Sequence, residues 1–215
     1  GMLVDISHVS DKTMNDVLDV STAPVIASHS SARALADRTR NIPDDLLRRM
    51  AKNGGVVMVN FYPGFIDKNV VAVSKERDER LKSQVDAFRA TYKDDPKRLS
   101  EEINKLLAAN PLPATPLSVL IDHFDHIAKV AGIDHVGLGS DFDGVPSLPV
   151  GMEDISKLPS ITYELLKRGY SEKHVRKVLG ENFMRAFGEA ERVAQSSGTR
   201  LSGDGNLRRV TVEKK

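Results

Sequence analysis

Four short apolar runs punctuate the chain. They are rich in Val, Ile, Leu and Met, and their apolar positions are continuous rather than alternating. The runs lie at residues 2–6, 24–28, 55–61 and 135–139. Continuous runs of this length are typical of parallel strands covered on both faces. The pattern therefore predicts four parallel β-strands.

Segments with helical spacing of apolar residues separate and follow these runs. The predicted helices lie at residues 11–20, 44–52, 117–130, 161–168, 171–179 and 181–193. Strands that alternate with helices indicate βαβ units and a parallel sheet. The chain is thus predicted to carry about four βα units.

Four βα units correspond to half of a closed (β/α)8 barrel. A parallel half-sheet alone leaves two open edges and one uncovered face. We therefore expect the other strands to come from a preceding part of the chain, from another chain or from a second copy. The opening residues 2–6 already resemble the middle of a buried strand. This favours a chain that starts partway through a larger domain.

The domain organisation follows from composition. Residues 1–194 are predicted to form the α/β domain, and 195–215 a polar tail in which 209–212 could pair locally. Residues 67–116 are dense in Lys, Arg, Asp and Glu, with weak helical periodicity near 79–92 and 99–109. We interpret this stretch as a helical insertion whose charges form either a solvated surface or a lid.

Composition excludes several classes of partner and ligand. The chain has 215 residues, with 31 basic and 30 acidic side chains, a net charge of +1 and no cysteine. Near-neutral charge gives no electrostatic basis for binding nucleic acid or an anionic membrane. No apolar run approaches the roughly 18 residues of a membrane span. Without cysteine, a metal would have to be held by His, Asp or Glu, and the compartment is not indicated.

Three ionisable residues follow predicted strands at their carboxyl ends. His8 follows the first run, His29 the second and Asp141 the fourth. Sites in parallel α/β folds lie at this edge of the sheet. Because neighbouring strands are about 4.8 Å apart, two imidazoles there can bind one ion, and neutral His suits zinc. A hydrolytic zinc site needs a third protein ligand, which must come from elsewhere.

Other polar residues have both a functional and a structural interpretation. Arg40 could clamp a carboxylate with two hydrogen bonds, or be a solvated loop charge. Asn60 and Tyr62 follow the third run and could line the same opening.

The remaining histidines favour the structural interpretation. His123 and His126 have helical i, i+3 spacing, but their helix is predicted to lie outside the sheet. His135 stands at the opposite end of its strand from the expected site, and His174 lies in a predicted surface helix.

Several motifs together resemble the membrane (renal-type) dipeptidases. The resembling segments are LVDISHVS at 3–10, PVIASHSSA at 24–32, residues 38–45 and 57–62, GLGSDFDG at 137–144 and GENF at 180–183. They follow in the order of the family, over about residues 2–190. The insertion at 67–116 is the least similar part.

The resemblance implies a zinc-dependent dipeptidase on a (β/α)8 barrel with two zinc ions, in which metal-activated water hydrolyses a short peptide. By that analogy His8 and His29 bind the second zinc, Arg40 holds the substrate's terminal carboxylate, and Asp141 carries a proton at the scissile peptide. Tyr62 is assigned to substrate binding.

The sequence also departs from the family pattern. The first zinc of the family is held by a His-x-Asp pair, with a Glu bridging both metals, and neither is in this chain. Phe65 stands where a tyrosine is expected. The chain therefore offers ligands for at most one zinc and resembles the C-terminal half of the enzyme.

Three questions stay open at this point. The chain could be a catalytically inactive scaffold or binding module of the same fold. Its substrates could be D-amino-acid-containing dipeptides, cell-wall fragments or a cyclic amide. Either a homo-oligomer or an upstream half could complete the site.

Overall fold

A three-stranded parallel sheet forms the centre of the computed structural model, which describes residues 2–196, 199–201 and 207–209. The strands are β1 (Ile26–Ala27), β2 (Val56–Asn60) and β3 (Val136–Ser140), in the order β1-β2-β3. In the sheet's register Ile26 pairs with Val56, and Val57 pairs with Val136. These three strands confirm the predicted parallel sheet.

The first predicted strand is wrong in its extent. Residues 2–6 form only one parallel bridge, Asp5 to Ile26, with hydrogen bonds from Ile6 N to Ile26 O (2.8 Å) and from Ile26 N to Val4 O (2.9 Å). Met2 and Val4 are 89% and 43% exposed, so little packing holds the segment extended. The Asp5 carboxylate also accepts from Ser7 N, which begins a turn.

Nine α-helices occur among the described residues. Their bounds are α1 Asp11–Val20, α2 Asp44–Asn53, α3 Pro63–Ile66, α4 Lys68–Thr91, α5 Pro96–Ala108, α6 Leu117–Ala131, α7 Leu158–Lys167, α8 Glu172–Arg176 and α9 Asn182–Ser196. A further pair of strands, β4 (Thr199–Leu201) and β5 (Leu207–Arg209), is antiparallel. The predicted pairing at 209–212 is present at Arg209, which is opposite Thr199. Its residues 210–212 lie outside the described part of the chain.

Helices α2 and α6 cover one face of the sheet. Leu47 and Met50 of α2, and Leu120, Phe124 and Ile127 of α6, are fully buried. Their spacing at three or four residues sets them on the inner face of each helix. Burial of each such side chain stabilises the fold by about 1.5–3 kcal/mol. This layer fixes the sheet from which the site residues emerge.

The charged insertion is helical over a longer stretch than predicted. Helix α4 begins at Lys68, where the Asp67 carboxylate accepts from Asn69 N (2.9 Å). Helix α5 begins at Pro96, where the Asp95 carboxylate accepts from Arg98 N (3.0 Å). These N-caps start α4 eleven residues and α5 three residues before the predicted positions. Apolar periodicity missed the start of α4 because most of its side chains are solvated.

Gly139 allows the three strands to converge at the site. A Cβ atom at Gly139 would lie 2.5 Å from Met58 O and 2.6 Å from Ser28 O. Only glycine permits this approach of three backbones. The contact brings the chain at Ser28, next to His29, close to the end of β3, where Asp141 follows.

His123 connects two loops inside the core. The ring is fully buried; its Nδ1 accepts from Ala32 N (3.1 Å), and its Nε2 donates to Ile66 O (2.9 Å). These bonds require a neutral ring. Burial is the main cause that lowers the pKa of His123 to about 4. His123 therefore has a structural role, because both ring nitrogens are hydrogen-bonded to backbone groups.

Acid is expected to destabilise the fold through His123. The unfolded chain takes up a proton near pH 6.5 and the folded chain only near pH 4, so stability is lost as pH falls between these values. The loss approaches roughly 3 kcal/mol. The ring is close to two other titratable groups, His126 and Asp122. Chemical unfolding at pH 7 and pH 4.5 measures the effect.

The matched variants are His123→Gln and His174→Gln. His123→Gln is expected to be less stable at pH 7 but to lose less stability in acid, whereas His174→Gln keeps the parent slope. An unchanged pH slope in His123→Gln would contradict the assignment.

Candidate active site

His8 and His29 face each other at the carboxyl edge of the sheet. Their Nε2 atoms are 2.5 Å apart, and the ring centroids are 4.6 Å apart with planes tilted by 55°. His8 has a positive φ of 61°, in the turn that follows the Asp5 bridge. The nitrogen atoms of an ordinary N–H···N hydrogen bond are about 2.9 Å apart. The two nitrogen atoms that bind one tetrahedral zinc are about 3.3 Å apart. The two nitrogens face the same point, and they would have to move apart by about 0.8 Å to bind one tetrahedral zinc.

A hydrogen-bonded chain holds the other side of the His29 ring. His29 Nδ1 is 2.7 Å from Ser28 Oγ, which donates to Asp5 Oδ2 at 2.5 Å. Asp5 Oδ1 accepts from Ser7 N (2.9 Å) and Ser28 N (3.0 Å), and Ser7 Oγ accepts from His29 N (3.1 Å). Because Ser28 donates to Asp5, its oxygen is available to accept from Nδ1–H. That tautomer leaves the Nε2 lone pair facing His8.

Local interactions shift the protonation of both ends of this chain. Partial burial opposes ionisation of Asp5, but the bonds from Ser28 and from the Ser7 and Ser28 backbones lower the pKa of Asp5 below its usual value. Burial, with the positive charge of Arg40, lowers the pKa of His29. Both shifts favour a carboxylate and a neutral imidazole.

Arg40 lies beside His29 with part of its guanidinium unused. Its Nη2 donates to His29 O (2.7 Å), and Cζ is 4.1 Å from the centroid of the Phe65 ring. Its Nε is buried without a hydrogen-bond partner in the described part of the chain. Burial lowers the pKa of Arg40, and the charge of Asp141 opposes this. Arg40 Nη1 makes no hydrogen bond among the described residues, so the outer edge of the guanidinium suits binding of an anion that is not part of the chain.

A second arginine anchors the loop that carries Arg40. Arg33 forms a two-pronged ion pair with Asp11, its Nη1 and Nη2 each 2.6 Å from a carboxylate oxygen. Arg33 Nε also donates to Asn41 O (2.9 Å). The loop is thereby fixed to the start of α1.

Asn60 links the residues that follow β2 and β3. Its Nδ2 donates to Asp141 Oδ2 (2.9 Å), and its Oδ1 accepts from Tyr62 N (2.7 Å). Asn60 is fully buried, and Asp141 has a positive φ of 72°. The Asp141 carboxylate is held by this amide and is close enough to His29 and Arg40 to influence both pKa values. The Tyr62 ring contacts Phe65 edge-on, with centroids 4.8 Å apart.

The structure thus brings His8, His29, Arg40 and Asp141 to one edge of the sheet, with Tyr62 beside them. The other histidines make structural contacts elsewhere. His126 Nε2 pairs with Asp44 (2.7 Å), His135 Nδ1 bonds Gly55 O (2.7 Å), and the His174 ring contacts Tyr170. Within the described ranges, no group of three or more His, Asp or Glu side chains could hold a metal ion.

Sequence reasoning missed the roles of Asp5 and Ser28, and it noted Phe65 only as a departure from the family pattern, not as a contact of Arg40. Asp5 carried a usable signal, because a carboxylate inside an apolar run is unusual for a buried strand. The bond from Ser28 to His29 and the Phe65 platform under Arg40 depend on the turns and gave no sequence signal.

Comparison with known protein families identifies the family of this chain. The model of the membrane dipeptidase family, peptidase family M19, matches residues 1–200. The chain belongs to the membrane dipeptidase family. Family membership confirms the resemblance drawn from the motifs, and it implies a metal cofactor.

Individual relatives agree with this membership. Dipeptidase tcpJ of Claviceps purpurea is 39% identical over 91% of this chain. The match covers 36% of that relative, so the chain spans about a third of its length.

Two crystal structures have a similar fold. The probable dipeptidase PvdM of Pseudomonas aeruginosa has a TM-score of 0.70 and 30% identity, covering 89% of this chain and 51% of that one. A metallopeptidase of Rhodobacter sphaeroides, liganded with a phosphinate mimic of the dipeptide L-Ala-D-Ala, has a TM-score of 0.63 and 29% identity. That match covers 86% of this chain and 41% of the other.

These likenesses confirm the predicted fold class. The chain carries part of an α/β fold of the (β/α)8-barrel metallohydrolase type. In the part of the chain that the structure describes, no helix is long and apolar enough to cross a membrane.

Proposed function

We propose that this membrane dipeptidase relative contributes half of the site of a zinc-dependent dipeptidase. The observation that carries the proposal is the convergence of His8 Nε2 and His29 Nε2 at 2.5 Å. Neutral imidazoles are preferred ligands of zinc. Together with family membership, the geometry favours one shared zinc over two separate structural histidines.

The two rings would fill part of one zinc coordination sphere. A catalytic zinc takes three protein ligands and keeps an open position, so at least one ligand would come from chain beyond the described residues or from a partner copy. The length of the curated relative supports the first source. When bound, zinc supplies a Lewis acid that polarises a carbonyl and activates water.

The other site residues would handle the peptide itself. We assign Arg40 to the substrate's terminal carboxylate, because its Nη1 makes no hydrogen bond among the described residues and Asp141 and His29 lie beside it. Tyr62 would line the substrate's path. Asp141, held by the Asn60 amide, would carry the proton to the leaving nitrogen.

An inactive binding module is the second candidate function. It is favoured by the lack of a third metal ligand near His8 and His29 in the described residues. The substrate class also stays open. A relative liganded with a mimic of L-Ala-D-Ala makes dipeptides with a D-residue a fitting test case.

Hydrolysis of dipeptides under metal control distinguishes the two candidates. We expect the protein, with the chain that completes the zinc site, to cleave L,L- and L,D-dipeptides and to lose activity to a chelator. Zinc should restore it. The 215 residues alone should bind no more than one zinc per chain. Absence of cleavage with zinc fully bound would favour the binding module.

Asp5→Asn is expected to weaken zinc binding by about 10- to 100-fold, the usual effect of removing an outer partner of a metal-bound histidine. An asparagine side chain can donate as well as accept, so the Ser28 hydroxyl would no longer be obliged to donate to residue 5. Ser28 Oγ could then donate to His29 Nδ1, which would move the ring proton to Nε2 and block zinc binding there. Competition with a chromophoric chelator measures the affinity.

Asp16→Asn is the matched control, since Asp16 forms a surface ion pair with Lys12 on α1. It should leave zinc affinity unchanged. Equal affinities in the Asp5 and Asp16 variants would refute the role given to the Asp5–Ser28 chain.

A further inference from the structure

A cleft of about 600 Å³ opens next to Tyr62. Its walls come from the loops after β2 and β3 and from the helical insertion: Tyr62, Pro63, Arg77, Leu107, Leu112 and Leu148 are among the lining residues. A volume of this size is typical of sites for small ligands. The cleft shares the side of the sheet on which the site residues lie.

Hydrogen bonds between the walls hold the cleft in shape. Thr115 Oγ1 donates to Asp67 Oδ2 (2.9 Å), which joins the loop before α6 to the start of α4. Thr115 O accepts from Val150 N (2.9 Å), which joins the same loop to the segment after Asp141. Thr115 and Asp67 are both buried. The cleft is therefore preformed.

Arg77 is the one charged residue that lines this cleft within the described chain. Its side chain is 13% exposed, whereas its ion-pair partner Asp78 is 63% exposed. Asp78 Oδ1 accepts from Nε (3.2 Å) and Nη2 (3.0 Å), and no bond to Nη1 is seen among the described residues. Arg77 also acts electrostatically on the Tyr62 phenol. An arginine whose partner carboxylate is mostly exposed thus lines a mainly apolar cleft beside a proposed substrate residue, with its Nη1 available for a second carboxylate.

We propose that this cleft receives a side chain of the dipeptide and that Arg77 makes it selective for an acidic one, Asp or Glu. The inference rests on the proposed function, because it assumes that a dipeptide binds beside Tyr62. The apolar walls would contact the side-chain methylenes, and the guanidinium would pair with the carboxylate. The charged insertion at 67–116, predicted to be either a solvated surface or a lid, would then form a wall of the substrate site.

Paired dipeptides test this selectivity. Ala-Glu is compared with Ala-Gln, and Glu-Ala with Gln-Ala, because each pair differs only in one charge. We expect the acidic member of one pair to bind and to be cleaved better, by about 10- to 100-fold. In Arg77→Gln this preference should vanish, while cleavage of Ala-Ala changes little. Arg77→Glu should instead favour a lysine-containing dipeptide.

Arg89→Gln is the matched control, since Arg89 lies on the same helix and pairs with Asp86. It should keep the acidic preference. Binding by calorimetry, measured separately from cleavage, distinguishes the two proposals. Selective binding without cleavage would overturn only the proposed activity. Cleavage with equal rates for Glu and Gln, no binding of either pair, or a preference that survives in Arg77→Gln would overturn the role of Arg77.

Discussion

Replacing His29 with alanine is expected to weaken zinc binding more than about 100-fold and to abolish dipeptide hydrolysis. Removing an outer hydrogen-bond partner of a metal-bound histidine already weakens metal binding by about 10- to 100-fold, so removing the histidine itself should weaken it more. His8→Ala should have the same effect, because the two Nε2 atoms converge on one point. Zinc per chain by elemental analysis, and affinity by chelator competition, measure the loss.

The fold should survive both substitutions. His8 is exposed and His29 is partly exposed, and neither belongs to the buried apolar core. His174→Ala, on the surface helix α8, is the matched control and should retain zinc and activity. Full zinc binding by either the His8 or the His29 variant, with unchanged circular dichroism, would remove the ligand assignment.

Asp141→Asn is expected to lower kcat by about 10²- to 10⁴-fold, the usual contribution of a positioned proton carrier. Asparagine keeps the shape and can still accept from Asn60 Nδ2, so the loop should hold its conformation. It cannot take up and release a proton at neutral pH. Steady-state rates at saturating dipeptide measure the loss.

Zinc affinity and KM separate this effect from a loss of binding. Both should change by only a few fold in Asp141→Asn, whereas His29→Ala loses the metal. Asp94→Asn, a charge change in the exposed turn between α4 and α5, should leave kcat unchanged. An Asp141→Asn enzyme with the parent kcat would show that another group carries the proton.

The sequence predicted much of this geometry because it depends on a repeat. His8 and His29 are one βα unit apart; His29 follows β1, and His8 follows the single parallel bridge from Asp5 to Ile26 of β1. The carboxyl ends of parallel strands meet at one edge, so the spacing alone brings the rings together. Asp141 follows β3 at the same edge for the same reason.

Other features could not be predicted because they arise from contacts between distant segments. The loop with Arg40 is fixed by Arg33 and Asp11, and Arg40 rests on Phe65 from beyond the next strand. The segment at residues 2–6 was predicted as a full strand from its apolar sequence. Its only pairing among the described residues is the bridge from Asp5 to Ile26.

The zinc edge X-ray absorption spectrum of the zinc-loaded chain tests the central claim most directly. Two imidazole nitrogens at about 2.0–2.1 Å from one zinc are predicted. His8→Ala and His29→Ala, each loaded at a zinc concentration raised to offset its weaker affinity, should each show one imidazole fewer. A spectrum without imidazole scattering, or one that is unchanged in both variants, would contradict a shared metal between these rings.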